Sequence, residues 1–434
     1  MYVSKLPKSK KIKTAVFAVS FAVIGTVILF VAHAATSAVT VSPQSGTISG
    51  NATVVSNTSA IGGKAVKFGS GSTSTTPKPA PKPTPTPSPK PTASGFITTS
   101  GAQLMQNGKP YKSIGFNFSP VGSCWSSNWT TAQMDQFFQS VPPDSIARFF
   151  APPGGTDSVS LVQSVVKEAD KYNVHLLISL AVAGVYGQCD AADSDSTSSG
   201  KTAAYYTDAV KAGSPYANWV KSIVTPLAND PGVAMWEIVN EPWHGGATIS
   251  QAGGVAGATT YTNAAAALIR AAETAGAGSP KQLITLGPAD IGETGGVSGM
   301  ESIFKNIDVV DDHDYSGDIG GATAYESSEF PELQQVAQAL NKPYMVDETG
   351  VEAGSSCSSS NIENAWDNQT AGLSLQGRVN FLLTQKATDY FKAGASSVGF
   401  WLYTTPGQQE SGCVYENITP TDPLMAAVKS YKIP

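Results

Sequence analysis

Apolar residues recur along this chain in two alternating rhythms. Short runs lie near residues 113–118, 146–150, 175–180, 233–239, 283–286, 309–312, 343–347 and 397–403. Runs with little polar alternation are the mark of strands buried on both faces, as in a parallel sheet. Between them, segments such as SLVQSVVKEADKYN, YANWVKSIVTPLAN, NAAAALIRAAETAG, LQQVAQALN and GRVNFLLTQKATDYFKAG carry apolar residues at helical spacing. Eight strand-like runs alternating with helices predict βα units, and eight is the number that closes into a (β/α)8 barrel. The expected domain spans residues 96–434 and opens with AQLMQNGKPYKSIGFN, where Asn107-Gly108 signals a hairpin turn.

The chain before residue 96 follows other rules. Residues 1–95 contain ten lysines and no acidic residue, so 17 basic and 33 acidic residues remain for the rest. The overall charge of −6 therefore hides a basic tail and an acidic body. Lys5, Lys8, Lys10, Lys11 and Lys13 precede an uncharged apolar run over 14–32. That is the pattern of an export signal, and the run is almost long enough to span a bilayer. Ala32-His33-Ala34 has the small-x-small form of a cleavage site, so residues 1–34 are expected to act as a cleaved signal or a retained membrane anchor. Either way the rest faces outward, secreted or at the cell envelope. Residues 35–69 alternate Val, Thr and Ser with glycine, which predicts three or four short strands. Residues 70–95 contain TPKPAPKPTPTPSPKP, an extended linker that cannot form ladder hydrogen bonds.

Two of the barrel runs end in a glutamate. VAMWEIVNEP carries Glu241 and YMVDETG carries Glu348, each placed where a strand gives way to a loop. In a closed parallel barrel that rim is where chemistry is done. Two carboxyl groups facing each other there are the minimum equipment for cleaving a glycosidic bond. Asp347 is the rival to Glu348, but neighbouring strand residues point to opposite faces, so one of the two is expected to look into the mouth. Arg148 is the single charge in SIARFFA and needs an acidic partner. His313 and Tyr315 are two residues apart and so face the same way.

Asn240-Glu241-Pro242, His313 with Tyr315, Glu348 and Trp401, each at the end of or on its own apolar run, together resemble clan A glycoside hydrolases. Within that clan the chain looks most like family 5, the cellulase and β-mannanase family, over residues 96–434. The resemblance implies a TIM barrel that uses Glu241 as acid/base, Glu348 as nucleophile and Arg148 to keep the nucleophile ionised. Asn240 would bond the sugar hydroxyl next to the reacting carbon, His313 and Tyr315 would pair beside the nucleophile, and Trp401 and Trp243 would serve the sugar. To work, Glu241 must carry a proton when the sugar arrives, so its acidity should be weakened by burial or by Glu348. One departure stands out: the third run, HLLISLAVAG, ends without the histidine or asparagine often found there, which leaves the substrate open.

Other aromatic residues at strand ends or in loops, Trp125, Trp129, Tyr186 and Tyr403, could stack on sugar or simply pack, while Trp219 and Trp236 are expected in the core. Cys124, Cys189, Cys357 and Cys413 are an even number in an exported chain and all fall in expected rim loops, which predicts disulfides. Neighbouring loops favour Cys357 with Cys413 and Cys124 with Cys189. Asp311, Asp312 and Asp314 flank His313, yet no second histidine or cysteine sits at ligand spacing, so no metal is expected, and no cofactor. An acidic body and the lack of a phosphate-binding glycine loop exclude nucleic acid as a partner. The expected activity is a retaining endo-β-glycosidase on a neutral β-1,4-linked polysaccharide, of β-mannan or cellulose type, acting as a monomer with a possible tether through 14–32. The alternatives are a non-catalytic carbohydrate-binding protein or a structural surface protein.

Overall fold

Each of the eight apolar runs becomes a strand of one parallel sheet. The computed structural model describes residues 52–56, 64–68, 95–121, 128–151, 159–181, 203–242, 249–250, 252–279, 281–288, 296–315, 329–351, 353, 374–405 and 417–434. The chain divides into two units, Met1–Thr86 and Pro87–Pro434. In the first, β1 (Ala52–Ser56) and β2 (Lys64–Phe68) pair antiparallel, with Val54 opposite Val66. These are two of the strands expected in 35–69; the apolar run 14–32 and the proline-rich linker lie outside the described residues. Among the described residues no helix is long and apolar enough to cross a membrane.

The second unit begins with a small antiparallel sheet of β3 (Ile97–Ser100), β4 (Gln103–Gln106) and β5 (Lys109–Pro110). Asn107 and Gly108 join β4 to β5 with φ of 50° and 75°, the left-handed pair that a two-residue hairpin prefers. The barrel strands follow: β6 (Ser113–Phe118), β7 (Ile146–Phe150), β8 (His175–Ser179), β9 (Val233–Glu237), β10 (Leu283–Thr285), β11 (Val310–His313), β12 (Tyr344–Thr349) and β13 (Ala395–Tyr403). Their order in the sheet is β10-β9-β8-β7-β6-β13-β12-β11, all parallel, so the last strand pairs with the first through β13 and β6.

The helices between them are α1 (Thr131–Ser140), α2 (Val159–Lys171), α3 (Ala203–Ala209), α4 (Pro215–Leu227), α5 (Gly254–Ala277), α6 (Val297–Phe304), α7 (Glu329–Leu340), α8 (Leu375–Val379), α9 (Thr388–Lys392) and α10 (Pro423–Ser430). A π-helical segment, Asn380–Ala387, joins α8 to α9. Helix α2 shows why such segments are helical: Val162, Val165, Val166 and Ala169 fall on one face, and all are buried. Helix α1 is started by Thr130, whose hydroxyl accepts from Gln133 N while the Gln133 side chain accepts from Thr130 N, a reciprocal capping box.

The core has two parts. Ile146, Leu177, Met235, Leu283, Val309 and Met345 line the barrel interior and cluster with Ile97 and Leu104 of the hairpin sheet. The hairpin thus closes the N-terminal end of the barrel and leaves the opposite end for chemistry. The larger cluster lies between strands and helices and includes Phe116, Phe118, Phe149 and Trp236. Strands β6 and β7 approach so closely at Gly115 that a Cβ there would lie 1.9 Å from the Ile146 carbonyl oxygen.

Between β10 and β11 the sheet is joined differently. The Ile284 carbonyl accepts from Asp308 N and Val309 N at 2.9 and 3.2 Å. The amides of β10 and of the two residues after it turn instead to aspartate side chains: Ile284 N donates to Asp308 Oδ2 at 2.7 Å, and Leu286 N and Gly287 N to the two oxygens of Asp311 at 3.2 and 2.7 Å. Those amides are otherwise ladder donors, so the two side chains replace the missing ladder bonds.

Candidate active site

At the C-terminal end of the barrel a buried arginine organises the site. Arg148 on β7 uses all five of its N–H groups. Its Nε and one Nη2 hydrogen grip Glu237 at 2.5 and 2.9 Å, the bidentate geometry in which guanidinium binds carboxylate most strongly. The other Nη2 hydrogen goes to Asn240 Oδ1 at 2.5 Å, and Nη1 donates to Asn117 Oδ1 at 2.8 Å and to Glu348 Oε2. The Phe150 ring lies 4.8 Å below the guanidinium. Burial opposes the charge on Arg148, but Glu237, Glu348 and Asp347 more than offset it and hold its pKa well above the ordinary value.

Glu241 lies beyond the end of β9, yet its backbone is fixed. Ile238 N, Val239 N and Glu241 N donate to the carbonyls of Thr285, Leu286 and Gly287, while Asn240 N donates to the Ala181 carbonyl. Glu241 itself adopts a left-handed φ of 48°, uncommon for a residue with a Cβ. His313, at the end of β11, places Nδ1 3.0 Å from Glu241 Oε1 and 3.6 Å from Glu348 Oε2. One carboxylate oxygen of Glu241 and one of Glu348 lie within 4.8 Å of each other, with His313 completing the group. The Tyr315 hydroxyl donates to Glu348 Oε1 at 2.7 Å, so both oxygens of Glu348 are held. Burial would strip the imidazole of its proton, but Glu348 and Asp347 outweigh burial and raise the His313 pKa well above its usual value.

Tyr315 is steadied from behind. The Asp314 carbonyl accepts from Lys386 Nζ at 3.0 Å and from Thr349 Oγ1 at 2.6 Å, and Asp314 N donates to the Glu348 carbonyl at 3.0 Å. Lys386 is fully buried and is delivered by the π-helical segment, a local irregularity that recurs at functional sites.

Glu241, Glu348, Arg148, Asn240, His313 and Tyr315 are thus brought into one cluster. Trp401, partly exposed on β13, packs its ring 5.6 Å from that of Phe150, beside the Arg148 cation. Trp243, Trp125, Tyr186 and the four cysteines Cys124, Cys189, Cys357 and Cys413 fall outside the described residues. Trp129 and Tyr403 are buried against Phe137 and belong to the core. The third barrel strand is followed by buried Leu180 and Ala181, and the Ala181 carbonyl accepts from Asn240 N at 2.8 Å.

One expectation is corrected. Asp347 and Glu348 do not divide between inside and outside: Asp347 Oδ2 lies 3.4 Å from Arg148 Nε while Glu348 also reaches Arg148. The register of β12 slips against β11 between Asp312 and His313 and against β13 between Val346 and Thr349. A bulge of this kind breaks the two-residue alternation, so consecutive side chains can turn toward the same space. Two residues of the site, Glu237 and Asn117, were not singled out from sequence. Glu237 had a signal: it alone interrupts the apolar run 233–239, as Arg148 alone interrupts 146–150, and lone opposite charges in buried strands of one sheet call for each other. Asn117 had none, since asparagine near a strand end is ordinary; its Nδ2 donates to the Asp347 carbonyl at 2.8 Å.

Among the described residues, two three-residue groups place ligand-type atoms within 4.8 Å of one another: Glu237, His313 and Asp347, and Glu241, His313 and Glu348. Arg148 donates to Glu237 and Glu348, one member of each group, so a cation already sits among these carboxylates.

The fold is a (β/α)8 TIM barrel with a cluster of buried ionisable residues, Arg148, Glu237, His313, Asp347 and Glu348, toward the C-terminal ends of its strands. No family model and no curated protein matches the sequence. Solved structures do. An endo-1,4-beta-mannanase from Rhizomucor miehei superimposes with a TM-score of 0.52 at 15% identity, over 77% of this chain and 97% of that one. A glycoside hydrolase family 5 mannosidase from the same organism gives 0.52 at 15% identity, over 79% and 97%. An endo-beta-1,4-mannanase from Thermotoga petrophila gives 0.50 at 12% identity, over 75% and 77%. At these identities the similarity establishes the fold.

Proposed function

We propose that this chain is a retaining endo-β-glycosidase of the clan A, family 5 type, acting outside the cytoplasm on a neutral β-1,4-linked polysaccharide such as β-mannan or cellulose. The observation that carries the reading is the approach of Glu241 and Glu348 to within 4.8 Å, oxygen to oxygen. Retaining glycosidases separate their carboxyl groups by about 5–5.5 Å, and inverting ones by about 6.5–9.5 Å to admit a water. The barrel fold shared with solved mannanases supports the same reading.

In the first step the Glu348 carboxylate attacks the anomeric carbon, and the C–O bond to the leaving sugar breaks as Glu241 gives that oxygen its proton. A covalent glycosyl-enzyme results. In the second step Glu241, now a carboxylate, takes a proton from water as its oxygen attacks the same carbon and displaces Glu348. The configuration is retained and Glu241 regains its proton. Arg148 and Tyr315 hold the two oxygens of Glu348, which orients the nucleophile and disperses its charge. Asn240, fixed through Oδ1 by Arg148, keeps its amide hydrogens for the substrate.

Glu241→Gln and Glu348→Gln should each abolish release of reducing sugar from β-mannan or cellulose while leaving binding intact. Unchanged turnover in either variant, or no product from the wild-type protein on a panel of neutral polysaccharides, refutes the assignment.

A further inference from the structure

The mechanism above leaves one buried charge without a task. Asp347 is almost fully buried, and neither of its carboxylate oxygens has a hydrogen-bond partner. Arg148 is near, with Nε 3.4 Å from Oδ2, but that N–H already donates to Glu237 at 2.5 Å and the other four are committed elsewhere. A buried carboxylate that accepts nothing is costly to keep. Its opposite number is His313 Nε2, which also lacks a partner and lies 3.7 Å from Asp347 Oδ2. A movement of about 0.8 Å makes one hydrogen bond and satisfies both groups at once.

We propose that Asp347 is a positioning residue that acts through His313: from the Nε2 side its carboxylate keeps the ring cationic and aimed, so that Nδ1–H points at Glu241. The proposal rests on the reading of Glu241 as acid/base. Glu241 must lose and regain a proton in each turnover, and a cation 3.0 Å from Oε1 stabilises its ionised form between the two steps. The groups facing His313 are Glu241 and Glu348 on the Nδ1 side, Asp347 on the Nε2 side, and Arg148, Glu237 and Asp311 around the ring. Arg148 works against the imidazolium, while Glu348 and Asp347 maintain it. Of these two, Glu348 is neutralised when the glycosyl-enzyme forms. Asp347 keeps its charge throughout the cycle, so from the Nε2 side it still holds the ring cationic after Glu348 is neutralised.

The test is Asp347→Asn in the full chain, read in two ways. His313 is one of four histidines, so its imidazole signals can be assigned by their loss in His313→Asn and followed by NMR against pH. In the wild-type protein both ring nitrogens should be protonated at neutral pH, and in Asp347→Asn the ring should titrate at lower pH. The second readout is the pH profile of kcat/KM. With His313 neutral, Glu241 holds its proton to higher pH, so the basic limb should move up by about one unit. In a His313→Asn background the Asp347→Asn change should leave that limb where it is. A wild-type ring neutral at pH 7 overturns the proposal even if the variant does not fold. So does a variant that loses activity or stability with both the ring titration and the basic limb unmoved, the outcome of a purely structural role. The NMR arm needs no substrate, so failure of the glycosidase reading shows up separately, as continued cleavage in Glu241→Gln or none in the wild type.

Discussion

Replacing Arg148 by methionine keeps the volume of its stem and removes five donors from a dry site. The acceptors left behind are Glu237, Glu348, Asn117 and Asn240, and the first carries the penalty because it is fully buried and, among the described residues, hydrogen-bonded only by Arg148. Breaking a buried pair from one side costs about 3–5 kcal/mol. Against a total stability of about 5–15 kcal/mol for a domain, that is a large fraction. The loss should depend on pH. Burial raises the Glu237 pKa from its ordinary 4.5 and Arg148 pulls it back, so without Arg148 it rises further. The folded variant then binds a proton that the unfolded chain lacks, and its stability falls as pH climbs above about 4.5. Guanidinium unfolding followed by tryptophan fluorescence should therefore show a deficit larger at pH 8 than at pH 5. Adding Glu237→Gln should recover part of it, since a neutral amide tolerates burial better. A deficit under about 1 kcal/mol, or one equal at both pH values, would refute the account of Glu237 as a charge held by Arg148.

Three further outcomes follow from other parts of the molecule. Tyr315→Phe removes a hydrogen bond to the Glu348 carboxylate worth about 1.5–3 kcal/mol, so kcat/KM should fall by roughly ten- to a hundredfold with little change in unfolding midpoint. Asp170, in the last turn of α2, is pushed up to about 7 by burial and by Asp230, with His175 opposing. Because its folded value exceeds the ordinary 3.8, stability should decline as pH rises from about 4 to about 7, and Asp170→Asn should flatten that slope in melting curves at pH 4, 6 and 8. Gly115→Ala drives a methyl group into the Ile146 carbonyl 1.9 Å away, and should lower stability by about 3 kcal/mol or more in the same unfolding assay.

The eight strands were legible because each is buried on both faces, so hydrophobic density alone marks it. The longer helices were legible from their apolar stripe, as in α2 with Val162, Val165, Val166 and Ala169. Helix α1 is mostly polar, with Met134, Phe137 and Phe138 buried among threonine, glutamine and aspartate, and it is recognisable chiefly by its cap at Thr130. Within the site, Glu241 and Glu348 stood out because an acid ending a buried strand is unusual. The place of Asp347 could not be read in advance, because side-chain alternation holds only while the register does, and the slip in β12 depends on both neighbouring strands. Asn117 was hidden for a related reason: its importance comes from partners at Asp347 and Arg148, far away in sequence and met only when the sheet closes.

The junction between β10 and β11 has a consequence for how this barrel tolerates mutation. Elsewhere neighbouring strands are laced by main-chain bonds, which any amino acid but proline can supply. Here main-chain bonds to the Ile284 and Pro288 carbonyls are supplemented by two side chains, Asp308 and Asp311, so a single codon change can undo that part of the lacing. Deep mutational scanning should find Asp311 intolerant even of asparagine, which offers one acceptor oxygen where two amides wait. That junction is a hereditary weak stitch in an otherwise sequence-blind weave.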